Sequence, residues 1–167
     1  MAEITDISHI LEIYNHAITE TTAVYHYKTH SLKERVEWYE KKLEEGYPVI
    51  VALLDNEVVG FATYGPFRMW PAYKYTIEHS VYVHPYQQRR GIGSALLKEI
   101  MRMAKEREYA TMVAGIDASN KYSIAMHERL GFQYAGLIKK AGYKFGRWLD
   151  LAFYQVEFPG PTIPTEE

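Results

Sequence analysis

The chain contains no cysteine. That excludes a disulfide, a thiol nucleophile and any cysteine-ligated metal, and it suits a reducing cytoplasm, where the protein is expected to work. Long apolar runs are missing as well. No stretch approaches the ~18 residues of a membrane-spanning helix, and the opening "MAEITDISHI" has no basic segment ahead of an apolar one, as a secretory leader would. No membrane partner is expected. Charge of one sign is also lacking: 19 Lys and Arg against 21 Asp and Glu leave a formal net charge of -2. Nothing global attracts a polyanion, so no nucleic-acid partner is expected. Two catalytic signatures are absent too. His127-Glu128 lacks the second histidine of H-E-x-x-H, and no G-x-S-x-G elbow occurs, which removes the common metal and serine hydrolases. The other histidines show no ligand spacing, so no metal is expected, and His79 and His84 read as structural, substrate-lining or surface residues.

What is present suffices for a core: of 167 residues, 47% are hydrophobic and 14% aromatic. Ile7, Ile10, Leu11, Tyr14, Ala17 and Ile18 fall at helical spacing, and Thr19 to Thr29 reads as loop. Ser31 and Glu34 have the spacing of a capping box, opening a helix that Gly46 would close. "PVIVALLD" and "VVGFATYGPF" form a predicted hairpin about Asn56-Glu57, and "TIEHSVYV" a third strand. A helix from Gly93 or Ser94 to Glu108, the strand "ATMVAGID", a short helix from Asn120 to Gly131 and the strands "FQYAGLI" and "RWLDLAFYQVEF" complete the set. The order predicts an α/β (α+β) domain over residues 1–158, followed by a flexible tail, 159–167, rich in proline and charge. No repeat or linker points to a second domain.

"HPYQQRRGIGSALLKEI" sets a turn between a strand and a helix. First-turn N–H groups of a helix have no intrahelical partner and carry the positive end of its dipole, so such a turn favours a bound phosphate. Gly91 and Gly93 let a ligand approach the main chain, and Arg89 and Arg90 add charge-assisted hydrogen bonds. The spacing matches neither a Walker loop, which needs Gly-Lys-Ser/Thr, nor the dinucleotide fingerprint, whose third glycine would fall where Leu96 stands.

Gln88-x-x-Gly91-x-Gly93 after a strand resembles the pyrophosphate loop of the GCN5-related N-acetyltransferase superfamily. With "IYNHAI", "GYPVIVA", "EHSVYVHP", "MVAGID", Asn120, "MHERLGF" and "KFGRWLDL" in order, the chain from Ile4 to Phe158 is similar to the phosphinothricin and methionine sulfoximine acetyltransferases, also called L-amino acid N-acyltransferases. The resemblance implies the GNAT fold: a mixed, mainly antiparallel twisted sheet with about four flanking helices, splayed at its centre between the strands at 76–83 and 110–117. Its first strand is expected to be short or poorly paired here, because relatives carry more residues there. The resemblance also implies acetyl-CoA as cosubstrate, a small amino-acid-like acceptor and a homodimer, with "KFGRW" near the partner's site.

Acetyl transfer requires a neutral amine, donors for a developing oxyanion and a proton for the leaving thiolate. Glu78, a strand carboxylate among apolar and aromatic neighbours, suits a general base of raised pKa, and the resemblance implies that role. Backbone groups of Val81, Tyr82 and Val83 are implied for the pantetheine arm and the thioester carbonyl, although these side chains also read as core. Gln88, Arg89, Arg90, Gly91, Ile92, Gly93 and Ser94 would hold the diphosphate. Asn120 is implied for the coenzyme arm and reads equally as a helix N-cap. His127 stands where many relatives have a proton-donating tyrosine. As a histidinium titrating near ~6.5 it could protonate a thiolate, or it could pack or orient substrate. For an amino acid acceptor, Arg68 is suited to a carboxylate, with Met69, Trp70 and Tyr73 closing over the side chain. His79 and Ser80 are counted with these acceptor-binding residues. Tyr25, Tyr27, Lys144, Phe145 and Gly146 are weaker candidates for the same pocket, and Arg129 reads as a surface residue before a phosphate ligand.

Overall fold

Two helices begin where the sequence supplies a capping side chain, Ser31 and Asn120. In a computed structural model describing residues 1–166, helix α1 spans Ile7–Glu20 and buries Ile7, Ile10, Ile13, Ala17 and Ile18 on one stripe. Glu167, the last residue of the expected tail, lies outside the described residues. Helix α2, Leu32–Glu44, begins with the expected capping box: the Ser31 hydroxyl accepts from the Glu34 N–H, and the Glu34 carboxylate accepts from the Ser31 N–H. The residues form two compact units, one of 1–64 with 80–97, the other of 65–79 with the chain from 98 onward.

In the first unit β1, Val49–Leu54, and β2, Glu57–Pro66, pair antiparallel. The hairpin turns at Asp55-Asn56, one residue earlier than the sequence suggested, with φ of 51 and 66. Two left-handed residues match the twist of the strands, and Glu57 already pairs with Leu54. Ahead of α1 no strand forms among the described residues. A 3₁₀ turn, Ile4–Asp6, and one backbone hydrogen bond from Ala2 N–H to Val49 O at 2.8 Å take its place. The core of this unit joins Ile7, Ile10, Ile13, Tyr39, Val49, Val58 and Phe61. The loop between α1 and α2 is held by Asn15, whose side chain both donates to and accepts from the His30 backbone. Buried Arg35, 3.7 Å from the Tyr14 ring centroid and 4.5 Å from that of Trp38, bonds His30 Nδ1.

Strand β3, Thr76–Val83, contributes to both units. In the second unit it is followed across the sheet by β4 (Thr111–Asp117), β6 (Arg147–Glu157) and β5 (Gln133–Lys144). The β4–β6 and β5–β6 ladders are antiparallel and β3–β4 is parallel, so the six-stranded sheet is mixed, as expected. The β3–β4 ladder comprises Thr76↔Thr111 to Glu78↔Val113 and ends in mid-strand, which is the anticipated splay. β5 runs well past the predicted "FQYAGLI". Bulges at Tyr134/Gly136 and Ile138/Gly142 absorb the polar stretch that broke the strand pattern, and Phe145-Gly146 form the tight turn into β6. Helices α3, Ile92–Glu106, and α4, Lys121–Arg129, complete the fold. α3 starts one residue before the predicted Gly93 and ends two before Glu108, which is left-handed at φ 60. From the tail, Thr165 N–H donates to the Tyr75 hydroxyl at 3.0 Å and Lys74 Nζ donates to Thr165 Oγ1. None of the described helices is long and apolar enough to cross a membrane.

Candidate active site

Successive side chains of a strand point to opposite faces. On β3 this buries Ile77 and His79 on one face and directs Glu78 to the other, where it is only partly buried. The neighbouring β4 offers Gly115 there. A Cβ at that position would lie 3.1 Å from Glu78 Oε1 and 3.4 Å from Leu151 Cδ1, so the bare glycine leaves the carboxylate its room. Burial raises the Glu78 pKa above the ordinary carboxylate value, and the charge of Arg68 partly opposes the rise. Arg68 itself is exposed, its guanidinium 4.8 Å from the Phe67 ring centroid. Phe67 anchors the segment: its N–H bonds Thr76 O, and its ring meets Tyr73 and Phe153 edge-on at 5.8 and 6.4 Å. Of the side chains expected to close over an acceptor, Tyr73 packs on Phe67, whereas Met69 and Trp70 are 85% and 75% exposed.

His79 and His127 form a buried pair. His127 Nδ1 lies 2.7 Å from the Ser123 carbonyl oxygen, its Nε2 lies 3.0 Å from His79 Nε2, and Phe132 packs edge-on against both rings. Burial, then the neighbouring His127, pushes the His79 pKa down to about 3. Burial also lowers that of His127, partly offset by Ser123. The histidinium expected from the ordinary value is therefore disfavoured at neutral pH. Both histidines must be neutral to fold and charge readily when unfolded, so stability is full above the unfolded value of 6.5 and declines as pH falls towards about 3. Glu78 acts with the opposite sign inside that range: its pKa is raised above 4.5, so its contribution to stability grows as pH falls through the raised value. Urea midpoints should fall between pH 7.5 and 5, before ordinary carboxylates titrate. A flat profile would contradict the buried neutral pair.

The turn before α3 leaves first-turn N–H groups of the helix without an intrahelical partner. Arg89 and Gly91 take left-handed φ of 63 and 77, and the first intrahelical bond runs from Ala95 N–H to Gly91 O at 3.0 Å. The N–H groups of Ile92, Gly93 and Ser94 precede that bond, and no acidic residue occupies the first turn. An added Cβ on Gly91 would touch nothing, so the glycine answers to its φ, not to crowding. Gln88, Arg89 and Arg90 are exposed. This chemistry fits a diphosphate. Tyr82 packs its ring on Tyr14 and Phe61, at 5.6 and 5.1 Å, and Ser80, Val81 and Val83 are half-buried. Asn120 caps α4, its Oδ1 accepting from Ser123 N–H.

A family model described as the acetyltransferase (GNAT) family matches residues 10–132. The chain belongs to that family. It is 40% identical over 163 residues to the L-methionine sulfoximine/L-methionine sulfone acetyltransferase of Salmonella typhimurium, covering 98% of this chain and 95% of the relative. A phosphinothricin acetyltransferase from Sinorhizobium meliloti in complex with acetyl-CoA superposes with a TM-score of 0.94 at 37% identity, over 99% of this chain and 91% of that one. A ribosomal-protein-alanine N-acetyltransferase from Brucella melitensis matches at 0.93 and 41%, over 94% and 97%. The protein is an N-acetyltransferase.

Within this GNAT chain the second unit brings Glu78, Arg68, Tyr73 and Gly115 onto adjoining segments, and it buries His79 against α4 on the other face of β3. Lys144 is buried at the end of β5, and burial lowers its pKa. Phe145, Tyr25, Tyr27 and Arg129 are exposed. Gly115 and Phe67 were not singled out from the sequence. A lone glycine inside the strand pattern "MVAGID" was the available signal, since such a glycine often marks a close approach.

Proposed function

We propose that the protein transfers an acetyl group from acetyl-CoA to the α-amine of a small L-amino acid or analogue of the methionine sulfone, methionine sulfoximine or phosphinothricin kind. The observation that carries this reading is Glu78: a partly buried carboxylate of raised proton affinity whose titration feels the guanidinium of Arg68. In an α-amino acid, amine and carboxylate sit on one carbon, which suits a base and a cation that sense each other. Acetyl-CoA, when bound, supplies an activated acetyl thioester. The amides of Ile92, Gly93 and Ser94, with Gln88, Arg89 and Arg90, hold its diphosphate, and the Val81–Val83 backbone and Asn120 serve its arm. Glu78 removes the amine's proton, directly or through one water, and Arg68 orients the acceptor by its carboxylate. The exposed Tyr134, Leu137, Ile138, Tyr143 and Trp148 of β5 and β6 support the homodimer that we also propose, and we assign the protein to the cytoplasm.

A peptide N-terminus, the acceptor suggested by the Brucella relative's name, carries no carboxylate beside its amine. A thiol-release screen with free amino acids, their amides and an alanine-led peptide tests the reading, and preference for the peptide would reverse it. Arg68→Ala should raise KM for carboxylate-bearing acceptors by about 10- to 100-fold, the worth of a charged hydrogen bond, and much less for amides. Equal shifts would discard the carboxylate clamp.

A further inference from the structure

We propose that His79 is a positioning residue: it holds His127 as a neutral imidazole protonated on Nδ1, and so withdraws it from proton transfer, leaving Glu78 to titrate alone during turnover. The hydrogen inventory carries the argument. The Ser123 carbonyl can only accept, so His127 Nδ1, 2.7 Å away, bears a hydrogen. In the neutral ring Nε2 is then a lone pair. It faces His79 Nε2 at 3.0 Å, and two lone pairs cannot face each other at that distance, so His79 Nε2 bears the donated hydrogen. Each N–H of the pair is thereby committed, one to Ser123 and one to His127, and neither ring has a proton to offer a leaving thiolate. The remaining nitrogen, His79 Nδ1, is an acceptor, buried without a partner.

The surroundings agree. Phe132 meets both rings edge-on and Ser123 bonds His127, while burial and the neighbouring His127 lower the pKa of His79, and burial lowers that of His127 against a partial offset by Ser123. His79 also lies on the face of β3 opposite Glu78. His127 thus orients α4 on β3 and does not act as the acid that its place in the sequence suggests. The statement about Glu78 rests on the proposed acetyl transfer; the tautomer assignment does not.

Long-range proton–nitrogen NMR of protein labelled with ¹⁵N-histidine tests it, with signals assigned through His127→Gln. At pH 7 His127 should show a protonated Nδ1 and a bare Nε2, His79 the reverse, and neither should ionise between about pH 5 and 8. In His79→Leu, His127 loses its donor, its titration should rise into that range, and a second ionisation should enter the pH profile of kcat/KM. A wild-type His127 that is protonated on Nε2, or cationic at pH 7, overturns the proposal even if His79→Leu does not fold. So does a wild-type kcat/KM with a descending limb that His127→Gln abolishes. Correct tautomers in a protein that acetylates no amine would sink the proposed function and leave the lock intact.

Discussion

Glu78→Gln is expected to lower kcat by about 10² to 10⁴ near neutral pH while leaving affinity for acetyl-CoA nearly unchanged. The substitution keeps shape and volume, so the niche left by Gly115 still fits, but an amide cannot take the amine's proton. The expected pH dependence follows from the same environment. A base works only when ionised, and burial holds the Glu78 pKa above its ordinary value of 4.5 despite Arg68. Wild-type kcat/KM should therefore fall as pH drops through that raised pKa, and Glu78→Gln should lose this limb. Turnover and calorimetric affinity measured on one preparation separate the two effects, and unchanged turnover would remove Glu78 as the base.

Replacing Arg89 and Arg90 together by alanine should weaken acetyl-CoA binding by about 10- to 100-fold and leave kcat at saturation close to wild type. Both side chains are exposed beside the first turn of α3, so their contribution is screened by salt and the difference should shrink as ionic strength rises. The amides of Ile92, Gly93 and Ser94 remain in the variant, which is why binding should weaken without vanishing. Titration calorimetry at two salt concentrations would measure both trends. An unaltered Kd would move the diphosphate away from this turn.

Features built from near neighbours in the chain were legible before any coordinates. The Ser31–Glu34 box, the Asn120 cap and the glycine turn into α3 each involve residues within a few positions of one another, and each appears in the structure as expected. The shifted hairpin turn and the extended β5 were misread for a local reason. Asp55-Asn56 and Phe145-Gly146 are defined by their backbone dihedrals, and residue types constrain those only loosely. Met69 and Trp70, read with Tyr73 from the loop at 65–75 as closing over an acceptor, are 85% and 75% exposed, a placement that loop sequence alone does not fix.

The sequence by itself determined the order of elements, the family and the chemical types available: a strand carboxylate, a basic glycine turn and a histidine in α4. Only the tertiary structure decided what those groups can do. It set Glu78 against the empty Cβ position of Gly115, and it placed the Nε2 of His127 3.0 Å from that of His79, 48 residues away, with the Nδ1 of His127 on the Ser123 carbonyl. Strand pairing and helix docking bring such residues together, and burial then shifts their proton affinities. Neither effect is encoded within a few residues of chain.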